Sequence, residues 1–159
     1  MPVAKIESRA ALRGHPVHPL LIHFPIAALI MLLASDVAYF FTDDVFWARA
    51  SYWLAAVGVT GGTVSGFAGA IDLFTVCRIR RLVTAWAHSI LAVTLLSLAT
   101  FNFMLRFDNV AEYILPWGLY ISGLTFALIS ITGLLGGQLV YEYGVGVHID
   151  EATSRDVSP

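Results

Sequence analysis

Histidines 15, 18 and 23 crowd the segment GHPVHPLLIHFP, and two further ionisable residues, Asp72 and His88, interrupt otherwise apolar stretches. Imidazole titrates near neutrality, ligates metals and can be held in one tautomer by a neighbouring group. Four chemistries follow from these types. His23 and His88 could ligate a b-type haem from opposite sides, with Asp72 orienting a ligand from behind. His15, His18, His23 and His88 could hold a transition metal such as zinc, copper or iron. The same layer could carry protons or bind a quinone. Alternatively, the histidines only satisfy one another and backbone carbonyls, and no cofactor is bound. Haem binding by a redox-associated membrane subunit is the leading expectation; a cofactor-free structural or scaffolding subunit is the main alternative.

Other chemistries lack their residues. Cys77 is the single cysteine, so an intrachain disulfide or CxxC pair is excluded. There is no nucleophile elbow, HExxH, CxxCH or phosphate loop. A net charge of −2 without a basic patch gives no purchase for a nucleic acid. A self-contained enzyme is therefore not expected.

The positioning elements are written in hydropathy. Of 159 residues, 58% are hydrophobic and 13% charged, far more apolar than a soluble core of this size requires. Four runs, about 19–41, 52–76, 82–104 and 116–141, each exceed the roughly 20 residues a helix needs to cross a bilayer. The expected architecture is an all-α, four-helix integral membrane bundle over 19–141, between a leader at 1–18 and a polar tail at 142–159. Pro19 suits the first turn of helix 1 with His18 at its N-cap, whereas Pro25 lies inside and frees the carbonyl of Leu21. At 1.5 Å per residue, His23, Asp72 and His88 fall roughly 8 to 11 Å from their helix midpoints, all on one side. His15, His18, Gln138, Tyr141 and Glu142 gather at that end. Asp36 stands apart in the other half of helix 1, with Tyr52, Tyr120 or Ser51 as its expected hydrogen-bond partner.

Lys5, Arg9, Arg13, Arg78, Arg80 and Arg81 lie on the side of the termini; Asp43, Asp44, Arg49, Arg106, Asp108 and Glu112 lie opposite. Basic residues collect in the cytoplasm, so both termini are expected there, in a bacterial inner membrane. Gly58, Gly62, Gly66 and Ala70 repeat every fourth residue in helix 2, flanked by Gly61, Ser65 and Gly69, and Gly133, Gly136 and Gly137 form a shorter set in helix 4. Such spacing lets helices approach closely, within the bundle or in a homo-oligomer. It could also clear space for a flat cofactor, making Gly66, Gly69, Gly133 and Gly136 candidate cofactor contacts. "HFPIAALIMLLAS" from His23 aligns with "HSILAVTLLSLAT" from His88, and "GFAG" at 66–69 with "GLLG" at 133–136. Two duplicated helical hairpins are therefore expected, with His23 and His88 equivalent.

The segments "GHPVHPLLIHFPIA", "GFAGAIDL", "AWAHS" and "GLLGGQLVYEYGVGV" resemble a bacterial membrane protein family known as domain of unknown function 2231, over about residues 13–148. The resemblance implies a four-helix membrane domain. Relatives fused to Rieske-type iron–sulfur or c-type cytochrome domains imply an electron-transfer setting, in which this chain would need a separate partner. Where some relatives carry histidine near the end of helix 4, this chain has Gln138 and Tyr143. "YGVGV" reads as a glycine-rich exit from helix 4, capped by Gly144.

Overall fold

The computed structural model describes residues 6–147; Lys5 and the tail beyond 147 lie outside that range. A two-stranded hairpin, β1 (Ala11–Leu12) and β2 (His15–Pro16), leads into α1 (Val17–Thr42), α2 (Val45–Thr75), a single turn α3 (Cys77–Arg80), α4 (Val83–Met104) and α5 (Leu119–Tyr141). The four long helices are each long and apolar enough to span a membrane, the last with its approach turn from Ile114.

Boundaries follow local chemistry. Arg13 and Gly14 turn the hairpin with φ of 51° and 83°. Pro16, at φ −60°, hands over to α1, placing His18 inside the first turn and not at the cap. The helix ends where Asp43 enters the left-handed region at φ 52° and its N–H reaches the Tyr39 carbonyl. Asp44 then caps α2, accepting from Phe46 N at 2.9 Å. This cap starts α2 at Val45, not near Tyr52, so Arg49 is helical and not part of a loop. After α4 the chain makes a loop and a wide turn over Ile114–Gly118 before α5. Glu142, not Gly144, caps α5, its N–H reaching the Gln138 carbonyl, and Gly144, at φ 66°, turns the chain two residues further on.

The packed pairs are α1 with α2, α2 with α4, α4 with α5 and α5 with α1. Hence α1 and α4 face each other across one diagonal, and α2 and α5 across the other. Leu29, Leu32, Ala55, Ala99 and Ile129 fill the middle. The glycines of α2 serve this interior: a Cβ at Gly58 would stand 2.5 Å from Leu29 Cδ2, and one at Gly61 3.4 Å from the Pro25 ring. The first and last described stretches meet at one end of the bundle, where Ile6 bridges Val145 and packs with Leu73, Ile79 and Ala85.

His18 and His88 are 70 residues apart, the same interval as the contacting pair Asp36 and Arg106. Buried Leu29 and Leu32 correspond in that register to buried Ala99 and Asn102. On the partner helices, Ser65 and Gly69 correspond to Thr132 and Gly136. GFAG and GLLG each follow the carbonyl that a histidine reaches, and the histidine that meets His88 is His18, not His23.

Candidate functional site

His18, one turn into α1, and His88, in α4, come from diagonal helices and meet across the bundle axis. Their ring centroids are 6.2 Å apart and their planes perpendicular. His18 Nδ1 donates to the carbonyl of Ser65 in α2 at 2.8 Å, and His88 Nδ1 to that of Thr132 in α5 at 3.0 Å. A carbonyl can only accept, so each Nδ1 carries a proton, and in the neutral ring each Nε2 then presents a lone pair. This is how histidines with an available Nε2 are oriented in metal sites.

One turn beyond each carbonyl stands a glycine. A Cβ at Gly69 would lie 3.1 Å from His18 Nδ1, and one at Gly136 3.3 Å from His88 Cε1. These two positions leave the rings their space. Gly66 and Gly133 differ: nothing lies within 4 Å of a Cβ built on either, and both face outward. Thr132 is buried, and its hydroxyl has no hydrogen-bond partner, so a polar atom beside the His88 ring stays unsatisfied.

The remaining expected residues go elsewhere. His23 is exposed on the outer face of α1, and His15 is exposed in β2. His15, His18, His23 and His88 thus do not form one ligand set; among the described residues no three His, Cys, Asp or Glu side chains are placed to share a metal ion. Asp72 is buried, but its carboxylate holds the leader, accepting from Ser8 Oγ at 2.6 Å, Arg9 N at 2.7 Å and Ala10 N at 2.9 Å. The groups that orient the imidazoles are backbone carbonyls. With Ile6 N on Gly144 O and Gly146 N on Ile6 O, the leader and the α5 exit are tied together at the same end of the bundle.

A second polar centre occupies the opposite end. Asp36 and Arg106, both fully buried, form a two-pronged ion pair: Nη1 to Oδ1 at 2.7 Å and Nη2 to Oδ2 at 2.8 Å. Ser51 and Ser122 each add a 2.7 Å bond to the carboxylate. Ser51 was among the expected partners; Tyr52 instead lies against Phe103, and Tyr120 is exposed. Arg106, read as a loop residue, folds back into the bundle because Asn102 Oδ1 accepts from its Nε and Nη2 at 3.2 and 2.9 Å. Its place in the sequence, four residues after Asn102 and at the histidine interval from Asp36, was the signal available.

Fold and sites together define a four-helix membrane bundle crossed at one end by a histidine pair and at the other by an ion pair. A family model described as "Predicted membrane protein (DUF2231)" matches residues 14–149, and the chain belongs to that family. No curated protein and no solved structure is found to match it.

Proposed function

We propose that this protein is a redox-associated membrane subunit that would bind haem b through His18 and His88. The observation that carries the reading is that two imidazoles from diagonal helices meet in the bundle, their ring centroids 6.2 Å apart, with each Nδ1 held by a backbone carbonyl. With two imidazoles and, among the described residues, no third His, Cys, Asp or Glu placed to share a metal ion, the site suits haem iron, whose remaining ligands come from the macrocycle, better than zinc. Haem would supply one-electron transfer; the chain would supply two imidazoles oriented by backbone carbonyls, with Gly69 and Gly136 leaving the rings their space.

Arg9, Arg13, Arg78, Arg80 and Arg81 lie at the histidine end, and the tendency of basic residues to stay on the cytoplasmic side supports an orientation with that end in the cytoplasm of a bacterial inner membrane. Electrons would be exchanged with a separate iron–sulfur or cytochrome protein. The test is an absorption spectrum of protein purified in mild detergent from haem-replete cells, oxidised and then dithionite-reduced. A Soret band with sharp reduced bands is expected; a colourless preparation rejects the reading and favours a cofactor-free scaffold.

A further inference from the structure

We propose that Asp36 and Arg106 are positioning residues for the histidine pair: their ion pair fixes the height and rotation of α1 against α4, and so keeps His18 opposite His88. The inference rests on the histidine pair being the functional centre.

Both pairs join the same two chain segments across the same diagonal. Along α1, and from α4 into the turn after it, the two layers are separated by roughly 27 Å at 1.5 Å per residue, so a slide or rotation of one helix is felt at both. Pro25, between the layers in α1, is braced: it is buried, and Gly61 lies against its ring. The apolar middle specifies register weakly, since leucines and alanines tolerate neighbours of similar size. The ion pair specifies it sharply, because sliding α1 by one turn would leave a carboxylate and a guanidinium buried without partners.

The network also reaches all four helices. Asp36 is in α1, Ser51 in α2, Asn102 in α4 and Ser122 in α5. Asn102 Nδ2 donates to the Gly118 carbonyl at 3.3 Å, and the guanidinium fits because Gly118 has no side chain: a Cβ there would lie 2.7 Å from Arg106 Nη2. Both carboxylate oxygens are doubly engaged, which favours a fixed support over a ligand site or proton relay.

The test uses the full chain, haem-free, in a Cys77→Ser background with nitroxide labels at Leu20→Cys and Ile90→Cys. Both positions are exposed, each two residues beyond one histidine. Pulsed electron–electron resonance is expected to give one narrow distance distribution in the parent, a broadened or shifted one in Arg106→Gln, and a largely restored one in Arg106→Lys. Should Arg106→Gln fail to fold, Asp36→Asn, which keeps the shape of the side chain, must broaden the distribution. An unchanged distribution in a folded Arg106→Gln or Asp36→Asn protein overturns the proposal, whatever its melting temperature. Absence of haem would instead overturn the functional reading and leave the distance result standing.

Discussion

His18 and Asp36 lie on one helix, and their partners His88 and Arg106 follow at the same interval of 70 residues, so a histidine pair and an ion pair join the same two chain segments across one diagonal. At one end the paired positions carry identical side chains, and at the other they carry opposite charges.

Removing Arg106 strands a buried carboxylate. Arg106→Gln is expected to cost about 3–5 kcal/mol of stability, and Ser122→Ala about 1 kcal/mol. Unfolding in detergent, with parent and variants side by side, measures both; equal costs would mean that the pair is not the anchor of its network.

Neighbouring glycines should behave differently. Gly136→Leu, beside the His88 ring, is expected to cost about 1–3 kcal/mol, whereas Gly133→Leu, facing outward, should stay within about 0.5 kcal/mol of the parent. Gly69 and Gly66 form the matching comparison in α2. Thermal melting of the four variants decides, and similar losses at all four would contradict the placement of the glycines.

Gly58 and Leu29 should be coupled. Gly58→Ala pushes a methyl group against the buried Leu29 side chain and is expected to cost about 1–3 kcal/mol. In the Leu29→Ala background most of that penalty should vanish, giving a double-mutant coupling of about 1 kcal/mol or more. Strict additivity would show that α1 and α2 do not pack there.

The leader should depend on Asp72. Asp72→Ala removes the acceptor of Ser8 Oγ and of two backbone N–H groups. Trypsin cleavage after Arg9 or Arg13 is expected to accelerate about tenfold, from the loss of charge-assisted hydrogen bonds. An unchanged rate would mean that the bridge of Ile6 to Val145 holds the leader unaided.

The number of helices was legible because spanning a bilayer demands long apolar runs, which composition alone reveals. Facing was not, since lipid-facing and core-facing residues of a membrane helix are similarly apolar and leave little amphipathic signal. That is why His23, with its attractive alignment to His88, was expected where His18 stands, and why the outward Gly66 looked like the inward Gly69. Asp72 was correctly singled out as buried, but its partners come from a leader whose path no periodicity describes. Arg106 was hidden by lying past the end of an apolar run, where a charge ordinarily faces water. The early start of α2 was masked by Arg49, although Asp44 carried a helix-capping signal.

The account turns on which histidines act together. The most direct measurement compares reduced-minus-oxidised spectra of the parent with those of His18→Ala, His88→Ala and His23→Ala, all expressed in haem-replete cells. Low-spin haem bands in the parent and in His23→Ala, abolished in each of the other two, are the predicted result. Bands that survive the loss of His18 or His88, or that vanish only with His23, would contradict it.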